Sequence, residues 1–113
     1  MSDGPIVVTK TYDLIKWLMP LISKFPKSKR YTLGARIENK LLDILELLLT
    51  AHYSKEKLET LKKVNLQLES FRYLLRLSFD FWYLSSKQYE FASQSTNEIG
   101  RLVGGWIKQQ SSK

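Results

Sequence analysis

The feature that most constrains this chain is one long amphipathic run, residues 24–51 (KFPKSKRYTLGARIENKLLDILELLLTA). After a basic start around Pro26 the run contains no further proline, and Gly34 is its only strong helix breaker. Its apolar residues recur at steps of three and four, which is the spacing of one helix face. The pattern predicts a helix whose buried stripe is formed by Leu33, Ile37, Leu41, Ile44 and Leu48.

The same helix carries more apolar side chains than one face can hold. The additional residues are Leu42, Leu45, Leu47 and Leu49. Because a helix that is apolar on nearly two faces needs a second partner, we expect one face to pack in its own fold and the other against another subunit. A second apolar run, FDFWYL at residues 79–84, suggests the same. The residues predicted to lie in a homo-oligomer interface are Leu45, Leu49, Phe79, Phe81 and Trp82.

Three further helices flank this run. The first starts between the Asp3-Gly4-Pro5 turn and Thr11, tolerates Pro20 on its polar side, and has an apolar stripe of Leu14, Leu18, Leu21, Ile22 and Phe25. The third has the stripe Leu58, Leu61, Val64, Leu68, Phe71 and Leu75 and is expected to continue as helix through FDFWYL. The fourth buries mostly small residues, namely Ala92, Thr96, Gly100 and Val103.

Polar residues mark where the last three helices begin. Ser28 and Ser54 are placed to cap the second and third helices, and Ser85 followed by Gln88 predicts a capping box for the fourth. Short connections between four helices predict an all-α, antiparallel up-down-up-down four-helix bundle. We expect a single domain over residues 1–113, with short disordered tails at both ends and fraying from Gln109.

Several function classes lack the residues they need. There is no cysteine, no apolar run near the ~20 residues of a membrane span, and no signal-peptide pattern, so a cytoplasmic protein is expected. His52 is the only histidine, and no arginine precedes it at the spacing of small helical ribonucleases. Glu38, Asp43 and Glu46 are interpreted as a solvated face. We therefore predict no enzyme, no metal and no cofactor.

The basic residues indicate a polyanionic partner. The net charge is +7, an excess that cannot be paired internally. The candidate contacts for nucleic acid or a partner protein are Lys24, Lys27, Lys29, Arg30, Arg36, Lys40, Lys62, Arg72 and Arg76. The alternative for single residues is a surface ion pair, for which Glu69 with Arg72 and Arg76 with Asp80 have suitable spacing. Tyr31 is either a stacking surface for unpaired bases or a residue buried at the bundle end.

The segment YDLIKWLMPLISKF followed by KFPKSKRYTLGARIENKLLDILELL resembles a known family. It is similar to the accessory variability determinant (Avd) of diversity-generating retroelements, over about Tyr12 to Trp106. The similarity is specific in FPKSxRxxLGxxIE and looser after Ser54. Related four-helix proteins from intervening sequences of bacterial ribosomal RNA genes share the FPK…YxL segment but usually continue into a SIPxNIAEG-like stretch, where this chain has LLDILELLL.

The resemblance implies a four-helix bundle that assembles as a pentameric ring or barrel. It also implies that the protein binds the retroelement's reverse transcriptase together with RNA and DNA, and so supports mutagenic cDNA synthesis from template RNA. No catalytic residues accompany the family. The alternative is a stand-alone RNA-binding bundle of the ribosomal intervening-sequence type, without a polymerase partner.

Overall fold

Four long helices account for most of the computed structural model, which describes residues 3–112, with side chains for residues 5–112. Helix α1 is Asp3–Ile22, α3 is Leu58–Asp80 and α4 is Ser86–Ser111. Helix α2 is continuous but has three parts: Lys27–Lys29, a π-helical stretch Arg30–Gly34, and Ala35–Tyr53. No strand occurs within residues 3–112. The predicted all-α class is confirmed.

Contacts between neighbouring helices show the antiparallel order. Lys10 pairs with Glu98 at 3.0 Å, and the ring of Trp17 lies 4.5 Å from that of Phe91. Residue numbers therefore increase along α1 in the direction in which they decrease along α4, so the two helices are antiparallel. Helices α3 and α4 repeat this order. Each helix packs against two others, α1 against α2 and α4, and α3 against α2 and α4. The arrangement is that of a four-helix bundle.

The core contains most of the stripes that the sequence predicted, together with larger side chains of α4, namely Ile99, Leu102 and Trp106, whereas Gly100 of the predicted α4 stripe is only half-buried. Its fully buried side chains include Leu18, Ile22 and Phe25 from the first stripe, Ile37, Leu41, Ile44 and Leu48 from α2, and Leu61, Val64, Leu68, Phe71 and Leu75 from α3. Leu21, Leu33 and Leu58 are half-buried at the stripe edges. The additional leucines of α2 are less covered: Leu42, Leu45 and Leu47 are half-buried and Leu49 is exposed.

The predicted helix starts are right in one case of three. Ser85 and Gln88 form the capping box, each side chain bonded to the other residue's backbone N–H. Ser28 lies inside α2, which begins after Pro26 without a side-chain cap, so that prediction is wrong. Ser54 is also wrong, because α3 begins four residues later and the Ser54 hydroxyl instead donates to the Glu56 carbonyl.

Lys57 closes the connection between α2 and α3. Its ammonium group donates to the carbonyl oxygens of Ala51, His52 and Ser54 at 2.8, 3.0 and 2.6 Å. These carbonyls belong to the last turn of α2 and to the residue after it, where helical partners are missing and the helix dipole favours a cation. Lys57 therefore terminates α2 with charge.

The π-helical stretch of α2 lies close to α1. A Cβ atom on Gly34 would lie 2.8 Å from Cγ2 of Ile22, which is too short for an ordinary contact. Glycine is therefore required here so that the start of α2 can approach the end of α1. Periodicity alone predicted one uniform α-helix and missed this widened turn.

The prediction that FDFWYL is helical is wrong from Phe81 onward. Helix α3 ends at Asp80, and the N–H groups of Trp82 and Tyr83 donate to the carbonyls of Phe79 and Ser78 at 3.0 and 2.8 Å. This pair of bonds is a Schellman motif. Trp82 has φ 67°, so it occupies the left-handed position that glycine usually fills.

Both outer ends of the chain are more helical than the sequence suggested. Asp3-Gly4-Pro5 was expected to form a turn but is already part of α1. Fraying was expected from Gln109, whereas α4 continues to Ser111. The remaining tail residues, Met1, Ser2 and Lys113, lie outside the described residues.

Candidate nucleic-acid interface

Two segments meet at one end of the bundle, which we call the loop end: residues 23–34, which lead from α1 into the start of α2, and residues 81–85, which join α3 to α4. The ring of Phe25 lies 5.4 Å from that of Tyr83, and Tyr83 lies 6.1 Å from Phe81. A 160 Å³ surface cavity joins the two segments and is lined by Lys29, Thr32, Leu33, Leu77, Phe81 and Tyr83. The basic start of α2 and the aromatic end of α3 therefore form one surface.

The lysines of the loop end have no nearby counter-charge. Lys24, Lys27 and Lys29 are exposed, and no carboxylate of residues 5–112 lies within 4.0 Å of their ammonium groups. The sequence explains this, because neither residues 14–37 nor residues 81–89 contain an aspartate or glutamate. Their positive charge is thus available to an external anion.

Two other loop-end residues differ from these lysines. Arg30 is half-buried, and its Nε atom is covered without a hydrogen-bond partner in the described part of the chain. Tyr31 is 72% exposed, so the expectation that it is buried at the bundle end is wrong. Its role as a stacking surface stays a prediction.

The remaining predicted cations lie on helix faces, and most have partners. Arg72 donates to Glu69 and, through Nε, to Asn97 of α4 at 3.4 Å, while Arg76 lies 3.9 Å from Asp80. Both ion pairs predicted from spacing are confirmed. Lys62 pairs with Glu59 at 3.5 Å, Lys40 donates to Gln67 at 2.7 Å, and Arg36 is exposed. Lys40, Lys62 and Arg72 lie farther along the helices, whereas Arg36 and Arg76 lie about one turn from the loop-end segments.

Comparison of the sequence with protein-family models identifies the family of this chain. The bAvd-like family model matches residues 5–110, nearly the whole chain. The chain belongs to the bAvd-like family. This assignment confirms the resemblance found in the sequence, and the family is not a known enzyme family. No match was found among curated proteins.

The bAvd-like bundle also has an exposed groove between α2 and α3, with two leucines among polar side chains. It measures about 380 Å³ and is lined by Asp43, Glu46, Leu47, Lys63, Leu66 and Gln67. Leu66 is 70% exposed and was missed in the sequence because it lies off the buried stripe of α3. Half-buried Leu45 and exposed Leu49 lie on the other flank of α2, away from this groove.

The other predicted interface residues lie at or near the loop end. Phe79 stacks on Tyr89 of its own chain at 4.6 Å, so part of its ring is covered within the bundle. Phe81 and Trp82 are 58% and 91% exposed. The argument that placed them on a helical subunit contact no longer applies, since they lie beyond the end of α3.

The remaining side chains with possible chemistry are His52 and the acidic residues. The ring of His52 is half-buried and lies 4.8 Å from the ring of Tyr53, with no side-chain hydrogen bond to a described residue. Within residues 5–112, no three side chains among histidine, aspartate and glutamate are grouped to hold a metal ion. None of the described helices has the length and apolar character that crossing a bilayer requires.

Proposed function

We propose that this protein is an accessory protein of a diversity-generating retroelement. In this role it binds the retroelement's reverse transcriptase together with nucleic acid, and it supports mutagenic cDNA synthesis from template RNA. Membership of the bAvd-like family supports the accessory role. The observation that carries nucleic-acid binding is the loop end, where three exposed lysines lie in segments that contain no acidic residue.

Lysine side chains at this position bind phosphate but do not read sequence. Phosphate contacts release counterions, so the affinity should be high at low salt and should fall steeply as salt increases. Base edges are not contacted by such an arrangement, and the bundle contains no groove-reading motif in its described residues. RNA and DNA should therefore both bind, with little sequence preference.

Association with the polymerase is tested by co-purification. A tagged reverse transcriptase from a diversity-generating retroelement should retain this protein, both before and after nuclease treatment. Loss of the protein after nuclease would mean that RNA alone bridges the two. Failure to co-purify under either condition would contradict the polymerase contact and favour a stand-alone RNA-binding bundle of the intervening-sequence type.

We further propose that the protein assembles as a homo-oligomer, a pentameric ring or barrel, through the groove between α2 and α3. Five copies of 13.3 kDa would give about 67 kDa. Leu66→Asp should dissociate the assembly without loss of the fold, because Leu66 is exposed in the single chain and a buried carboxylate in a subunit contact is unfavourable.

The matched control for that variant is Asn65→Asp, which adds the same charge at the adjacent exposed position. Light scattering coupled to size exclusion should show a pentamer for the control and a smaller species for Leu66→Asp. A mass near 13 kDa for the unmodified protein would contradict the assembly.

A further inference from the structure

Trp82 occupies a backbone position that suits a different residue. Its φ of 67° is the only positive value among non-glycine residues within positions 3–112. The left-handed conformation is unfavourable for a side chain with a Cβ atom, and glycine is the usual residue at this place in a Schellman motif. The fold tolerates tryptophan here although glycine would suit the turn better.

The indole of Trp82 contributes little to the core, so burial does not compensate for its unfavourable backbone conformation. It is 91% exposed, more than any other large apolar side chain of residues 5–112, whereas Trp106 is buried and Trp17 is half-buried. Backbone strain concentrates at functional sites, where the surrounding structure holds it in place. The two backbone hydrogen bonds to Phe79 and Ser78 do so here.

The loop end that carries Trp82 is cationic and aromatic. The adjacent residue, Tyr83, packs on Phe25, which lies between Lys24 and the Pro26-Lys27 segment. Lys29 lines the same cavity as Phe81 and Tyr83. The exposed ring of Trp82 thus belongs to the same end of the bundle as three lysines whose ammonium groups have no carboxylate partner in the described chain.

We propose that the loop end is a binding site for single-stranded nucleic acid, in which an unpaired base stacks on Trp82. Lys24, Lys27 and Lys29 hold the neighbouring phosphates. This inference rests on the proposed nucleic-acid binding and adds a preference for unpaired strands. Stacking tolerates any base, because every base has a π-face, so the site fits binding without sequence readout.

Charge argues against a second copy of the chain as the occupant of Trp82. A contact between two loop ends would bring two sets of unpaired lysines together, which is unfavourable, and the ring contact proposed above uses the groove between α2 and α3 instead. A lipid surface is also a poorer fit, since peripheral binding usually uses an amphipathic helix with a broad apolar face. Residues 81–85 form a short turn instead.

The test uses Trp82→Gly, which should separate binding from stability. Glycine relieves the left-handed strain, so the melting temperature should rise by about 4 °C. The affinity for a thymidine oligonucleotide of about twenty nucleotides should fall roughly tenfold, since one stacking contact is lost. The affinity for a duplex of the same length should stay within about twofold, because its bases are already stacked.

Two controls accompany that variant. Trp82→Phe keeps an aromatic ring and the strain, so it should retain most of the single-strand affinity without the gain in melting temperature. Tyr53→Ala removes an 83% exposed aromatic ring at the opposite end of the bundle and should leave both affinities unchanged. Fluorescence anisotropy of the labelled strands measures all of these affinities.

Each other outcome overturns the inference in a distinct way. Unchanged single-strand affinity in Trp82→Gly, with the unmodified protein binding both probes, would reject the stacking site and leave the proposed function standing. An equal loss for both probes would also reject it. A change in oligomer mass would place Trp82 in a subunit contact, and loss of binding to phosphatidylcholine–phosphatidylserine vesicles alone would indicate a membrane surface. Absence of binding to either probe by the unmodified protein would reject both proposals.

Discussion

The two ends of the bundle use lysine in opposite ways. At the end that carries residues 54–57, the ammonium group of Lys57 donates to three backbone carbonyls and completes α2. At the loop end, Lys24, Lys27 and Lys29 are exposed, and their ammonium groups make no hydrogen bond or ion pair to a described residue. The same side chain is therefore structural at one end and available to a partner at the other.

The cations of α3 fall between these two cases. Arg72 and Arg76 are partly or largely exposed, but each has a carboxylate of its own helix beside it. An anion that binds them must compete with Glu69 or Asp80. The comparison teaches that a net charge of +7 is unevenly available, and that the absence of acidic residues decides where it acts.

Removing the loop-end charges should give the largest effect on binding. Replacing Lys24, Lys27 and Lys29 together by Gln should weaken single-strand binding about a hundredfold near 0.1 M salt, because each phosphate contact contributes a slope of about −0.7 in log affinity against log salt. The slope should flatten by about 2. Titration at several salt concentrations measures both quantities.

The matched control replaces the three α3 cations, Lys62, Arg72 and Arg76, by Gln and removes the same charge. It should weaken binding less than the loop-end variant. Equal effects of the two triple variants would show that net charge alone matters and that the loop end is not a preferred site.

Removing the structural lysine should affect stability rather than binding. Lys57→Met should lower the free energy of unfolding by about 2 kcal/mol, since three carbonyls lose a charged donor and partly recover hydrogen bonds from water. Lys55→Met changes an exposed residue of the same connection and should be nearly neutral. Urea denaturation compares the two, and a loss of nucleic-acid affinity in Lys57→Met would contradict the division between the ends.

Gly34 tests whether close packing of α1 and α2 supports the loop end. Gly34→Ala should destabilise the bundle by about 1–2 kcal/mol, because the new methyl group would meet Ile22. Gly104→Ala is the matched control: nothing lies within 4 Å of its Cβ position, so it should stabilise α4 by up to about 1 kcal/mol. Thermal unfolding giving the same sign for both variants would contradict this account.

The smallest effect should come from freeing the α3 arginines. Glu69→Gln combined with Asp80→Asn removes the carboxylates that compete for Arg72 and Arg76. Nucleic-acid affinity should rise a few-fold, since exposed ion pairs are weak and two negative charges are removed. Anisotropy titration at low salt would detect this change, and no increase would mean that this face does not meet the nucleic acid.

Local rules explain which parts of the fold the sequence could predict. The buried stripes, the Ser85–Gln88 capping box and the Glu69–Arg72 pair depend on residues three or four positions apart on one helix, so spacing is sufficient to find them. The family was also recognisable, because the FPKSxRxxLGxxIE segment is specific.

What the sequence did not reveal depends on contacts between distant segments. FDFWYL contains no glycine, proline or asparagine to mark a helix end, and only the three-dimensional structure shows that Trp82 turns the chain. The widened turn Arg30–Gly34 lies where α2 comes close to α1 at Gly34, a contact that periodicity cannot show. Ser54 was predicted to cap the start of α3, but its hydroxyl bonds to the Glu56 carbonyl instead. The side chain of Lys57 reaches back to the carbonyls at the end of α2, a contact that spacing does not reveal.

From the sequence, the candidate site was predicted only as a set of basic residues, without the aromatic residues that lie beside them. Lys24, Lys27, Lys29 and Arg30 were among the nine predicted cations, yet spacing along the chain cannot show that Lys29 lies beside Phe81 and Tyr83. The site is formed where two distant segments meet. Its basic half, in residues 23–34, and its aromatic half, in residues 81–85, are about fifty residues apart in the sequence.

The antiparallel connectivity places the beginning of α1 and the last turn of α4 at one end of the bundle, and the loop end at the other. Asp3 and Ser111 lie at the end farthest from the loop end, along a long axis of 47 Å. A dye, a resin or a fused enzyme attached beyond Ser111 would therefore leave the lysines and Trp82 facing outward. Copies tethered to a surface in this way would all expose the loop end. In single-molecule force measurements, the same tether would fix the direction in which the molecule is pulled.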